Sequence, residues 1–268
     1  MAYLTREDNK NVYYEDYGTG DSAIVLVHGW GMGVRTWDYS LAALIAAGFR
    51  VVALDHRGCG KSDKDFADVG INAIAGDVVA LVEKLGLSRV VLNGWSLGGA
   101  VVVAAADQLK DTCTGLVLTC GATPVYLQKS DYAHGGTDAD LAGTLEAMGA
   151  DRVNFLWALS QGICATEVTP EVERWMWEIF MESSPNAAAS LAELGPMDQR
   201  SILASLTMPI LSYVAGKDAV VDPNVCRSVA EYNDNVTTVD LPESGHAPFI
   251  DETARYNEEL ITFTSSCL

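Results

Sequence analysis

Val90-Val91-Leu92-Asn93-Gly94-Trp95-Ser96-Leu97-Gly98-Gly99-Ala100-Val101-Val102-Val103 is the stretch from which the fold can be read. A short β-branched run leads into a serine flanked two residues away on each side by glycine. A second apolar run, continuing through Ala104-Ala105-Ala106, follows at once. The first run suits a buried strand and the second a helix. A serine between them sits on a sharp strand-to-helix turn that holds its hydroxyl out for attack. Gly-x-Ser-x-Gly is short, and a chain with 24 glycines can produce it by composition alone, so its surroundings must carry the assignment.

Upstream, Val12-Tyr13-Tyr14-Glu15-Asp16-Tyr17 and Ala23-Ile24-Val25-Leu26-Val27 flank a Gly18-Thr19-Gly20-Asp21 turn. The second run is continuously apolar, as a strand covered on both faces should be. Residues 35–47 suit a helix ending at Gly48, Val51-Val52-Ala53-Leu54 a buried strand, and Ile74, Val78, Leu81, Val82 and Leu85 a helix face closed by Gly86. Downstream, Leu116-Val117-Leu118, 209–215 and 236–239 add strands, with helices near 224–232 and 252–264. This alternation predicts an α/β fold with a mainly parallel, helix-covered sheet.

The interval 124–205 breaks the rhythm and reads as helices only. Thr169-Pro170-Glu171 has the form of an N-cap, a proline at the first helical position and an acid in the first turn. Ser184-Pro185 opens another helix, with Gly195 as its stop. Val172, Trp175, Met176, Ile179 and Phe180 make one broad apolar face. Such a face ordinarily packs on a core; here part of it is expected to roof a pocket, as a helical cap (124–205) on a core of 1–123 and 206–268. Trp30, Trp157, Trp175 and Phe180 are the pocket candidates, and Trp177 poses the same question.

The chain has 268 residues, 49% of them apolar, and a net charge of −19. So acidic a surface repels phosphate backbones and anionic lipids, which argues against nucleic acid and membrane partners. The N-terminal residues contain no apolar signal-peptide core and no apolar run reaches the length of a membrane span. Ser266-Cys267-Leu268 lacks the basic centre of a Ser-Lys-Leu peroxisomal address. The six cysteines form no Cys-x-x-Cys or His/Cys metal cluster. Reduced thiols in a cytoplasmic protein, no metal and no cofactor are the expectation.

A serine hydroxyl becomes a nucleophile when a base takes its proton, and the base needs an acid to fix its tautomer. On this fold type the order is Ser, acid, His, each beyond a strand's carboxyl end. His246, after the last strand and before the last helix, is where the base belongs. His28 is read as shaping a turn, His56 comes too early, and His134 falls in a polar loop. Asp218 is the preferred acid, because it lies nearest the strand end and Asp222 suits the cap of a helix opened by Pro223. The backbone N–H groups of Leu97 and of Trp30, in His28-Gly29-Trp30-Gly31-Met32-Gly33, are the expected oxyanion donors. Neither that segment nor Gly58-Cys59-Gly60 has the spacing of a nucleotide loop. A histidine base also implies activity that is lost in acid.

On these residues, with Asp55-His56-Arg57-Gly58-Cys59-Gly60-Lys61-Ser62-Asp63, Gly216-Lys217-Asp218 and Gly245-His246-Ala247-Pro248-Phe249, the chain resembles the α/β-hydrolase superfamily over nearly its whole length. The resemblance implies an eight-stranded sheet with the cap inserted after the sixth strand. His28-Gly29-Trp30 and Gly121-Ala122-Thr123-Pro124 with 128–132 look like the bacterial arylesterases and cofactor-free haloperoxidases, which hydrolyse short esters or lactones and can form peracids. The elbow and His246 segments are also similar to an N-acyl-homoserine lactonase branch, which has Asn where Trp30 stands. Relatives often have two residues between the glycine and the acid, and here only Lys217 intervenes, which leaves Asp222 open. Ser96 argues against epoxide hydrolases and dehalogenases, which carry Asp at the elbow. The expectation is a serine hydrolase acting on a small-molecule ester or lactone. A lactonase, C–C hydrolase, perhydrolase or hydrolase-fold receptor are the alternatives, and a homodimer is left open.

Overall fold

The computed structural model describes residues 2–268. Strands β1 (Ala2–Thr5), β2 (Asn11–Tyr17), β3 (Ser22–Val27), β4 (Val51–Leu54), β5 (Arg89–Trp95), β6 (Cys113–Thr119), β7 (Ile210–Ala215) and β8 (Val236–Leu241) form one sheet. Its order is β1-β2-β4-β3-β5-β6-β7-β8. β1 and β2 pair antiparallel with each other, and β2 with β4; every other pairing is parallel. The apolar runs read from the sequence are these strands. β1 is not legible in the sequence, because four residues with one buried side chain show no usable alternation.

The helices are α1 (Asp38–Ala46), α2 (Ile71–Lys84), α3 (Leu97–Leu109), α4 (Asp138–Ala150), α5 (Arg152–Gly162), α6 (Pro170–Met181), α7 (Ala188–Ala192), α8 (Arg200–Ser205), α9 (Pro223–Ser228), α10 (Pro248–Asp251) and α11 (Thr253–Cys267). Every residue of β4 and β7 is buried, which requires cover on both faces of the sheet. α2 and α3 pack on each other, with α3 against β3, β5 and β6; α1 and α11 pack together and reach β4 and β6. The segment between β6 and β7 contributes α4–α8 and no strand of the sheet. Thr169 occupies the N-cap position of α6, yet its side chain makes no capping bond. The capping box lies instead at Thr137 and Asp140, at the start of α4.

Chain order reverses across the β3–β5 pair, where β3 runs on to β4 at one side and β5 on to β6 at the other. Ligands of open α/β sheets bind beyond the strands' carboxyl ends at such a point. The loop after β3 and the turn after β5 meet there, Val27 being paired with Gly94.

Three elements of the Asp55–Asp63 segment brace this region. The Asp55 carboxylate accepts the amides of Val34 (2.6 Å) and Lys61 (2.7 Å), tying the loop after β3 to the loop after β4. Ser62 Oγ accepts the Tyr13 amide and donates to the Asp55 carbonyl. Arg57 is held by buried Asp77 and by Glu7. These residues are scaffold.

Candidate active site

Ser96 sits between β5 and α3 with φ 56 and ψ −122, a backbone conformation rarely adopted by a residue with a side chain and characteristic of functional turns. Its amide donates to the Thr119 carbonyl (3.0 Å), and its carbonyl accepts from Gly99 (2.8 Å) and Ala122 (2.9 Å). The glycines of the motif are steric requirements. A Cβ on Gly98 would lie 2.4 Å from the Val27 carbonyl oxygen, and one on Gly94 2.2 Å from that of Gly98. Leu97 opens α3, and the first amides of a helix have no intrahelical partner, so they are available to an oxyanion.

His246 lies after β8 and Asp218 after β7. Their side chains are 3% and 1% exposed, and Nδ1 of His246 donates to Oδ2 of Asp218 at 2.7 Å. The other carboxylate oxygen accepts the amides of Val220 (2.8 Å) and Val221 (2.9 Å). With the proton on Nδ1, Nε2 is left bare to accept one. Asp222 is occupied elsewhere: Oδ1 caps α9 through the Asn224 amide, and Oδ2 accepts the Gly135 amide, both at 2.9 Å. The main chain of His246 is held at both ends, its carbonyl by Trp95 Nε1 and its amide by the Ile163 carbonyl, each at 2.7 Å.

Ser96, Asp218 and His246 open onto one cavity of about 630 Å³, within the range of small-molecule sites. Trp30 and Phe180 line it, together with Phe155, Leu159 and Ile163. Trp157 and Trp175 do not, contrary to the sequence-based expectation. Trp157 is 36% exposed and stacks edge-on against Trp177, while Trp175 packs on Tyr39 of α1. Phe155 and Leu159 of α5 and its C-cap residue Ile163, spaced four apart, turn one face to the cavity, and Trp157 falls outside it. The Trp30 indole donates to the Ala187 carbonyl (2.7 Å), which fixes it as part of the wall.

Among the described residues, Cys120 Sγ, an Asp218 oxygen and a His246 nitrogen lie within 4.8 Å of one another. A thiol must ionise to ligate metal well, and burial pushes Cys120 well above the ordinary thiol range. The Asp–His pairing accounts for the other two groups. All six cysteines are free, and no helix is long and apolar enough to cross a membrane.

His28 and His56 do not reach the cavity wall. Their rings stack at 3.7 Å, and His28 Nε2 accepts the His56 amide while Nδ1 donates to the Gly29 carbonyl. Burial lowers His28 to about 4 and His56 well below its ordinary range, so both are neutral. In the unfolded chain an imidazole takes up a proton near pH 6.5. Below that pH the unfolded state therefore holds the extra proton, and stability falls until about pH 4, where native His28 titrates. Asp55, raised by burial to about 6, opposes this, but equally in wild type and variant. His28→Asn is accordingly expected to lose less stability than wild type between pH 6.5 and 4, measured by urea unfolding. An equal loss would show that His28 is not the group being titrated.

The family model for the alpha/beta hydrolase fold matches residues 22–253, and the chain belongs to that family. It is 27% identical over 266 residues to the AB hydrolase superfamily protein YisY of Bacillus subtilis (strain 168), with 98% of this chain and 99% of that protein covered. Among solved structures it is similar to an esterase from Exiguobacterium antarcticum, with a TM-score of 0.94 and 26% identity over 98% of both chains. A bromoperoxidase from Bacillus anthracis is similar at a TM-score of 0.93 and 27% identity, over 98% of this chain and 99% of that one.

Proposed function

We propose that the protein is a serine hydrolase that cleaves carboxylic esters or lactones of small to medium, largely apolar substrates through an acyl-enzyme. His246 Nε2 takes the Ser96 proton as Oγ attacks the acyl carbonyl. The Leu97 and Trp30 amides hold the oxyanion, and His246 then returns the proton to the leaving alcohol. Water, activated by the same imidazole, attacks the acyl-enzyme and releases the acid. The observation that carries this reading is the Asp218–His246 pair at 2.7 Å opening with Ser96 onto one cavity. The likeness to an esterase at full length supports it.

The cavity wall also supports the substrate class. Most of its residues are apolar, and its ionisable groups are Tyr126, Asp140, Asp218, Asp222 and His246, with no lysine or arginine. Uncharged acyl chains suit such a wall, and anionic ones have no counter-charge. The segment 124–205 supplies the roof and acts as a cap.

The test is turnover of p-nitrophenyl esters of increasing acyl length, of lactones, and of peroxide with acetate, alongside labelling by a fluorophosphonate. Hydrolysis of neutral esters and a phosphonyl adduct on the Ser96 peptide are expected. No turnover of any substrate and no adduct on Ser96 would overturn the reading.

A further inference from the structure

One carboxylate outside the Ser96–Asp218–His246 set joins the loop that carries His246 to the helical segment over the cavity. Asp251 is the last residue of α10, five positions beyond His246, and its own amide donates to the Ala247 carbonyl at 3.0 Å. Its Oδ2 accepts the amides of Gly245 (2.7 Å) and of Ala165 (3.0 Å). Its Oδ1 accepts the Thr166 amide (3.0 Å) and the Thr166 hydroxyl. One donor thus comes from the histidine loop and three from the strap between α5 and α6.

The two segments also touch directly. The His246 amide donates to the Ile163 carbonyl at 2.7 Å. A Cβ on Gly245 would stand 2.7 Å from both that carbonyl oxygen and the Ala165 nitrogen, so only glycine allows the strap this close. Ile163 is itself in the cavity wall. Behind Gly245, the Ser244 hydroxyl donates to Glu252 Oε1 at 2.8 Å, which closes the turn around Asp251.

Hydrogen bonds to a carboxylate are charge-assisted and about twice as strong as neutral ones. A carboxylate serving only the turn would take its donors from residues 244–251. We propose that Asp251 is a positioning residue: it latches the strap 163–166 to the histidine loop and so fixes the His246 imidazole over Ser96. The proposal rests on the hydrolytic reading above. A base displaced by about 1 Å can lose about 100-fold in rate, so the latch acts on turnover more than on substrate binding.

The experiment compares wild type, Ser96→Ala, Asp251→Asn, Thr166→Val and the double variant Asp251→Asn/Thr166→Val, on p-nitrophenyl acetate and on fluorophosphonate labelling of Ser96. In Asp251→Asn one acceptor oxygen becomes an amide facing N–H donors. Its kcat and labelling rate are expected to fall about 10- to 100-fold, with KM within about threefold of wild type. Thr166→Val deletes only the hydroxyl bond, so its fall is smaller, and the double variant should be no slower than Asp251→Asn alone. Wild-type kcat and labelling in Asp251→Asn, with Ser96→Ala inactive, would overturn the latch and leave the hydrolytic reading standing. Full activity in Ser96→Ala would overturn that reading instead. Should Asp251→Asn fail to fold, Thr166→Val decides: a lower kcat at unchanged KM supports the latch, and wild-type kcat overturns it.

Discussion

Replacing Ser96 by alanine is expected to lower turnover of an activated ester by about 10⁴-fold or more, or about 5.5 kcal/mol of transition-state stabilisation. In the proposed mechanism the hydroxyl oxygen forms the acyl bond after His246 takes its proton, and alanine has neither the oxygen nor the proton. What remains is the cavity and the amide donors at the start of α3, which still favour attack by water. The variant should fold as wild type does. The bonds that hold residue 96 in place run through its amide to Thr119 and through its carbonyl to Gly99 and Ala122, and alanine retains them all. Thermal unfolding beside ester kinetics separates the two effects. Activity above about one percent of wild type with an unchanged melting temperature would mean that another group is the nucleophile.

Asp218→Asn is expected to lower kcat by about 10⁴-fold, whereas Asp222→Asn should stay within about twofold of wild type. The asymmetry follows from which atoms meet which donors. One oxygen of residue 218 accepts the Val220 and Val221 amides, so the carbonyl oxygen of an asparagine must stay there. Its NH₂ group is then turned toward His246 Nδ1 and demands a bare nitrogen. The ring proton moves to Nε2, where the base should be empty. At 222 one oxygen caps α9 and the other accepts the Gly135 amide, neither meeting His246; asparagine caps a helix as well as aspartate does and gives up only the loop bond to Gly135. Steady-state kinetics of both variants on one ester decide the matter; equal losses would remove Asp218 from its assigned place.

The strands and the elbow are legible because burial on both faces leaves continuous apolar runs, and because the turn at Ser96 tolerates no side chain at Gly94 or Gly98. The order of serine, acid and histidine is legible for the same reason: each stands at a strand end that periodicity locates. Choosing between Asp218 and Asp222 needs more. Both are acids in a short loop, and only the direction of each carboxylate shows that one meets the imidazole and the other a helix start. The roof is read least well. α5 is apolar on several sides, with Phe155, Leu156, Trp157 and Leu159 in succession, so its sequence does not say which face meets the cavity. Asp251 carries no sequence signal at all. In the sequence it is one acid among several at the head of the last helix, and its partners lie 6, 85 and 86 positions away.

Those separations bear on how the molecule is assembled. A chain made from its N-terminus has Ser96, the glycine-rich loop after β3 and the whole segment 124–205 in hand while the residues that anchor the strap are still unmade. The strap 163–166 finds its amide and carboxylate partners only when 245–251 have been synthesised, and the same residues include His246. The strap can therefore be tied down only after the residues around His246 have been made. A chain that stops short of residue 245 lacks both His246 and the partners of the strap.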